Sequence, residues 1–462
     1  MQSSVAPPNP DSITPASSAR WRNSIVSWLN DPYVAAILCA AALIWTLSTV
    51  ADIRARFNEV GFRCDQSDFA CYYTWAYALR EKVNPYTTDL RETALTLGLA
   101  MDRLARADYP PTFIMSLEPL TLLTFKTAYW VWTGLNAIAL ALSLYLLLGK
   151  VSGLGLNTVL SLGALALFYQ PIMVNFAWGQ PHTILLAMIV VACLCFRQGK
   201  DAAGGLTLAL AGLLKVYPLF LVGYLLMKRR WRAVLFTGLG LVIGAAITMA
   251  LIGISHALAF GDRLGSIVSG NWLAAHNLAG ADNLINLDAL ISRSFWLAAG
   301  TDSSDANDWV RQLIIRLAQI SLLAFTVRAT LVSRNGARHN ERAFALWIVM
   351  TALLAPTAWC HYMVLLLFFF AILAAAAIRG EASSLAISLA VASFFLLVFS
   401  VPPGFLIAVP TKFSFLEYSG PLFAIFRAIL PSWLMTWLAQ NWFGGLTLLT
   451  YASAYRLTTQ QA

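Results

Sequence analysis

Charge is scarce in this sequence. Of its 462 residues only 11% are Asp, Glu, Lys or Arg, 59% are hydrophobic, and mean hydropathy is +0.68. A soluble domain is about half apolar and roughly a quarter charged, so the composition excludes a soluble globular fold and predicts a polytopic membrane protein. The apolar runs are long and unbroken, which excludes a barrel. An all-α fold remains, because backbone groups in lipid must bond within their own segment. The signatures of soluble catalysis are missing too: no glycine-rich phosphate loop, no HExxH, no nucleophile elbow. The six cysteines, Cys39, Cys64, Cys71, Cys193, Cys195 and Cys360, have no metal-ligand spacing, and no acidic pair with such spacing stands out. Neither metal nor cofactor is expected. Cys64 and Cys71 share one loop, and a disulfide or two thiols are both open. The early basic and apolar regions of a cleavable signal peptide are lacking, so the first span reads as a retained anchor.

The net charge of +9 gives no reason to expect nucleic acid. The excess Arg and Lys lie in short loops, where they orient the spans with the basic side inward. Residues 1–31, rich in Ser, Pro and Asn, read as a disordered cytoplasmic tail. A catalytic transmembrane half follows at 32–253, with an outer loop at 51–108, then a second outer loop at 254–310 and a C-terminal transmembrane half at 311–462. The expected architecture is all-α and polytopic, with about 12 spans and interfacial helices in the outer loops. Both termini are expected in the cytoplasm, in the inner membrane of the cell. Within the first loop, residues 69–79 are uncharged and aromatic and predict a helix lying on the membrane surface; residues 91–107 predict a second, more polar helix, ended by "ADYPPTF". "RQGKD" (197–201) and "KRRWR" (228–232) both want to be cytoplasmic, yet only about one span's length separates them. Two short helices meeting at "LKVYP" resolve this and put Lys215 at the outward tip. "GLGLVIG" (238–244) reads as span packing by small residues.

This topology gathers Asp68, Lys215 and His361 on one side with both outer loops. Each has a plain reading as well. Asp68, after Ser67, is a favoured helix cap, and neighbouring Asp65 is a rival acid. His361, in "WCHY" with Trp359 and Tyr362, fits an interfacial aromatic belt. Lys215 could snorkel, but a lysine midway in an apolar run is a functional candidate. Arg263 reads either as a bidentate phosphate ligand or as a loop charge. His256 and His276 are less specific.

Several motifs in order resemble glycosyltransferase family 87. They are "DFACYYTWAYALREKVNPY" (68–86), "YPP" (109–111) with "EPL" (118–120), "WGQPHTILL" (178–186), "GGLTLALAGLLKVYP" (204–218) with "KRRW", and "APTAWCHY" (355–362). The resemblance implies a GT-C membrane fold with its site facing the periplasm. It implies a polyprenyl-phosphate sugar donor, mannose foremost, and a lipid-linked or exported glycan acceptor, with membrane lipids around it. By the same resemblance the family's first-loop acid falls on Asp68 and its hairpin histidine on His361, which makes them the expected catalytic pair. Lys215 and Arg263 are expected at the donor phosphate, and Tyr72, Tyr73, Gln180, His276 and Trp359 around the substrates. Inverting transfer needs a base for the acceptor hydroxyl and stabilisation of an oxocarbenium-like transition state. Three rivals stand beside this reading. One is a transporter or flippase of lipid-linked sugars, expected to show broken helices in matched halves. The second is a glycan polymerase or ligase relying on outer-loop arginines such as Arg263 and Arg293. The third is a non-catalytic scaffold.

Overall fold

A computed structural model of the chain describes residues 15–58, 67–99, 106–269, 284–299, 308–334, 336–399 and 428–460. In chain order its helices are α1 (Pro15–Asn30), α2 (Pro32–Asn58), α3 (Asp68–Arg80), α4 (Arg91–Thr96), α5 (Pro111–Leu117), α6 (Phe125–Leu144), α7 (Leu156–Leu167), α8 (Gln170–Trp178), α9 (His182–Arg197), α10 (Asp201–Leu214), α11 (Leu221–Met227), α12 (Trp231–Ile252), α13 (Ile254–Val268), α14 (Leu287–Ala299), α15 (Asp308–Val332), α16 (Ala337–Leu354), α17 (Leu367–Ile378), α18 (Ser384–Phe399) and α19 (Ser432–Thr459). A 3-10 turn, Cys360–Leu366, leads into α17. Among the described residues the one extended pairing is an isolated bridge between Leu284 and Trp359. The protein is an all-α membrane protein.

Burial sorts the helices into layers. The hairpin of α16, the Cys360–Leu366 turn and α17 lies at the centre: every residue from Glu341 to Leu353 is buried, and 78% of the Cys360–Ile378 window is enclosed by protein. The corresponding windows of α2 and α12 are 11% buried, so these two helices form the lipid-facing periphery. Among the described residues five helical segments are long and apolar enough to cross a membrane: Pro32–Ala51, Phe125–Val151, Trp231–Ile252, Trp309–Val332 and Cys360–Ile378. A sixth is added if α7 and α8, bent by 62°, form one span. About 12 spans were expected; the remaining segments include α9, α10, Tyr217–Met227 and Ser384–Val398, which are apolar but shorter.

Two N-terminal expectations differ. Pro15–Asn30 is helical where a disordered tail was expected; residues 1–14 lie outside the described residues. The polar helix expected over 91–107 is confined to Arg91–Thr96, and residues 100–105 lie outside the described ones.

Glycine sets the closest helix approach. Along the α10–α12 seam the Thr237 hydroxyl donates to the Gly205 carbonyl at 3.1 Å, and a Cβ on Gly205 would stand 2.4 Å from the Ala233 carbonyl oxygen. A Cβ on Gly240 would meet Ala209, and one on Gly244 would meet Leu213. Lipid tails give helices no hydrophobic reason to associate, so contact of this kind carries the packing. Gly238, by contrast, has nothing within 4 Å of such a Cβ. Gly205→Ala is therefore expected to destabilise the protein by about 1–3 kcal/mol through overpacking against backbone. Gly238→Ala should be neutral or slightly stabilising, since alanine is the better helix former. Thermal unfolding of both variants in one detergent checks the contrast; equal melting temperatures would refute it.

Candidate active site

Asp68 is not a cap. Ser67 occupies the N-cap position of α3 without a side-chain capping bond, its hydroxyl donating instead to the Trp178 carbonyl at 3.3 Å. Asp68 is the first helical residue, where a carboxylate meets the positive end of the helix. The helix it opens, expected to rest its rings on the membrane surface, is instead enclosed by protein. Phe69 to Ala76 are all buried in protein. Phe69 stacks on Trp132 with ring centroids 5.8 Å apart, and Tyr72 meets Phe113 edge-on at 5.1 Å.

The Asp68 carboxylate accepts a hydrogen bond from Gln180 Nε2. Gln180 is delivered by a local device. Gly179 ends α8 in the left-handed region (φ +67°), and a Cβ there would lie 2.5 Å from Phe69 Cβ, so glycine is required twice over. Asn175 clamps the loop from within: its Nδ2 donates to the Gln180 carbonyl at 3.1 Å, and its Oδ1 accepts from the His182 backbone N–H at 3.2 Å. Trp132 Nε1 holds the Gly179 carbonyl at 2.6 Å.

From Gln180 the network runs to a lysine. The Tyr109 hydroxyl donates to Gln180 Oε1 (3.1 Å) and accepts from Tyr72 (2.7 Å) and from Lys215 Nζ (2.5 Å). Tyr109 is fixed by the Pro110–Pro111 step that starts α5, with Pro111 in the first turn where its missing N–H costs nothing. Lys215 sits where α10 stops, in an extended conformation, ahead of a 3-10 turn containing Pro218; the terminal carbonyl of Leu213 is taken by the Thr112 hydroxyl at 2.5 Å. The break therefore places Lys215 between two short helices, as the charge pattern predicts.

Around Lys215 stands a wall of rings. Its Nζ lies 4.5 Å from the Tyr109 ring centroid, 4.4 Å from that of Tyr362, and 3.4 Å from His182 Nε2. His182 and His361 are 4.8 Å apart between centroids, and Tyr217 stacks on Tyr362 at 4.5 Å. His182 Nδ1, His361 Nε2 and the Tyr217 hydroxyl are buried without a hydrogen-bond partner. Buried polar groups are rarely left so, and three in one aromatic cluster mark a site built for a polar ligand.

Asp68 is pushed up to about 7, chiefly by burial; Lys215 and the Gln180 bond pull it down, and Asp108 pushes it further up. Asp108 also acts on Lys215 and on Arg263 of α13. The structure thus brings Asp68, Gln180, Tyr72, Lys215 and His361 together, with Arg263 at the Asp108 margin. Tyr73 is not among them: its hydroxyl donates to the Leu123 carbonyl at 2.7 Å, within helix packing. Trp359 is half-buried in the bridge to Leu284, and Arg293 is buried elsewhere, on Asn441 and the Leu284 carbonyl. His276, Cys64 and Asp65 lie outside the described residues, and Cys71 is buried in α3. Sequence reading missed Asp108, Tyr109, His182, Tyr217 and Tyr362 as site residues, although each lies in or beside a quoted motif. Among the described residues no three His, Cys, Asp or Glu side chains are grouped to hold a metal ion.

The model of glycosyltransferase family 87 matches residues 108–357. An alpha-(1->3)-arabinofuranosyltransferase of Corynebacterium glutamicum is 29% identical over 147 residues, 31% of this chain and 35% of the relative. A polyprenol-phosphate-mannose-dependent alpha-(1-2)-phosphatidylinositol mannoside mannosyltransferase of Mycobacterium tuberculosis is 25% identical over 175 residues, 37% of this chain and 40% of the relative. The matched stretches thus span well under half the length of these relatives.

Because burial favours the neutral acid, Asp68 is expected to be protonated below about pH 7. Infrared difference spectra should show a protonated-carboxyl band that disappears as pH rises through that value and that Asp68→Asn lacks. A band lost near the ordinary aspartate value of about 4 would refute the assignment.

Proposed function

The chain belongs to glycosyltransferase family 87, and from that membership we propose that it is a membrane glycosyltransferase. It moves a hexose, mannose foremost, from a polyprenyl-phosphate donor to a lipid-linked or exported glycan acceptor. The observation that carries this reading is the buried line from the Asp68 carboxylate through Gln180 and Tyr109 to Lys215, beside two histidines with unpartnered ring nitrogens. An acid, an ammonium and an imidazole within one aromatic enclosure are the groups that inverting glycosyl transfer needs. Mannose as the donor sugar is supported by the name of the mycobacterial relative; the corynebacterial relative keeps an arabinofuranosyl donor as the second reading.

In this mechanism the acceptor hydroxyl oxygen attacks the anomeric carbon as the bond from that carbon to the donor phosphate breaks on the opposite face. The hydroxyl proton passes to Asp68 or to His361, and polyprenyl phosphate leaves with the bonding electrons. Lys215 neutralises the charge that gathers on the departing phosphate, and Arg263 offers a further cation at the margin. The Asp68 carboxylate, when ionised, also stabilises positive charge at the anomeric centre. Tyr109 and Gln180 hold acid and ammonium apart, so that the two do not collapse into a direct ion pair. By the positive-inside rule the site faces the extracytoplasmic side of the cell membrane, with both termini in the cytoplasm.

Transfer of radiolabelled sugar in membranes carrying the protein tests this, with polyprenyl-phosphate mannose, glucose and arabinose as parallel donors. Turnover is expected with mannose. Asp68→Asn and His361→Ala should each lower it by about a hundredfold or more, the usual worth of a positioned base. Full transfer by both variants, folded and inserted, would remove the site; no turnover with any donor would favour a transporter.

A further inference from the structure

A cavity lies at the opposite end of the helices that carry the site. Helix α9 starts at His182 in the site and ends at Arg197, about 22 Å away by helical rise; α10 likewise runs from Asp201 to Leu214, just before Lys215. The cavity at the Arg197 end encloses about 150 Å³ and is lined by Arg197, Arg230, Tyr224, Asn340, Glu341 and the ring of Phe344, among others.

Its two arginines are tied to the protein by one nitrogen each. Arg197 Nη1 reaches the carbonyls of Lys150 (3.2 Å) and Val151 and stands 3.2 Å from Glu341 Oε1. Arg230 Nη1 donates to the Phe196 carbonyl at 2.9 Å and to Asp201 at 2.6 Å. Among the described residues Nε and Nη2 of both guanidiniums make no hydrogen bond. The Asn340 amide oxygen is also buried there without a hydrogen bond, and Oε1 of Glu341, a residue only 5% exposed, has the Arg197 ion pair but no hydrogen bond. Beside the cavity Arg338, Arg342 and Arg379 converge on the single carboxylate of Glu381, and all three act on Glu341. Five guanidiniums thus face three carboxylates, Asp201, Glu341 and Glu381, which leaves a surplus of two positive charges around a concave, partly apolar space.

We propose that this cavity binds a phosphate-bearing anion at the membrane face opposite the transfer site, with Arg197 and Arg230 as its ligands. Planar guanidiniums with free N–H groups match phosphate oxygens bidentately. Basic pockets between membrane helices on the cytoplasmic side suit anionic headgroups, and the positive-inside rule assigns this end to the cytoplasm. A phospholipid headgroup and free phosphate share this chemistry.

Purified full-length protein titrated with short-chain phosphatidylglycerol, with diacylglycerol and with inorganic phosphate distinguishes them, read by native mass spectrometry. Saturable binding of one phosphatidylglycerol per chain, absent for diacylglycerol and displaced by inorganic phosphate, is expected. Binding of inorganic phosphate alone would identify a soluble anion as the natural occupant. Arg197→Gln with Arg230→Gln should weaken binding at least about tenfold. Because both arginines also hold backbone carbonyls, the deciding variant is Ala337→Trp. Ala337 is exposed and lines the cavity, so a tryptophan there fills the space and leaves every ion pair in place. It should match the loss at an unchanged melting temperature. Wild-type binding by Ala337→Trp, or no binding of either phosphate probe, overturns the proposal.

Discussion

Buried charge must be partnered, and the end of the molecule that holds Asp68 and Lys215 is arranged around that requirement. An isolated carboxylate or ammonium in an apolar interior costs several kcal/mol even after relaxation. The protein offsets this through two neutral intermediaries, Gln180 and Tyr109, rather than by direct contact. Each intermediary needs its own backbone device. A left-handed glycine with no room for a Cβ presents Gln180, a proline pair presents Tyr109, and a helix that stops midway along an apolar run presents Lys215. The aromatic packing of α3 then keeps Asp68 in register with Gln180. The conformations that look irregular along the chain are the ones the charge pair depends on.

At the other end of the same helices the arrangement is different in kind. There the charges are arginines and carboxylates in direct ion pairs, several of them partly exposed. Direct pairing there ties one nitrogen of each of Arg197 and Arg230 to the protein, while at the transfer site the acid and the ammonium meet only through neutral partners. The two ends, joined by α9, α10 and the central hairpin, thus hold their charges in different ways.

Much of this was legible in the sequence. Low charge and unbroken apolar runs gave the all-α membrane class. The conflict between two basic loops separated by one span's length gave the helix break at Lys215. The order of short motifs pointed to Asp68, Gln180 and His361. The shortfalls have physical causes. Aromatic, uncharged residues suit a membrane surface and a protein core equally well, so the stretch read as a surface helix is found packed in protein, and the hydroxyls of Tyr72 and Tyr73 face different partners. Ser67 and Asp68 are both good caps by type, but the Trp178 carbonyl draws the one side chain away from the helix end and the Gln180 amide the other, so neither caps α3. His182, Tyr109 and Asp108 lie 33 to 107 positions from Lys215 along the chain; their meeting is tertiary, and no local spacing announces it.

The glycine seam between α10 and α12 has a mechanical consequence. Arg230, at the start of α12, holds Asp201 at the start of α10, and the seam locks the two helices side by side. Helix α10 is thereby a strut of fixed length with Lys215 at its tip, referenced to the protein and not to the lipid. Bilayers differ in thickness by several ångströms between membranes, and proteins meet the mismatch by tilting or by deforming the lipid. A strut that cannot slide against its neighbour leaves the adjustment to tilt of the whole protein or to the lipid, so the height of a headgroup relative to Lys215 varies with the membrane in which the protein resides.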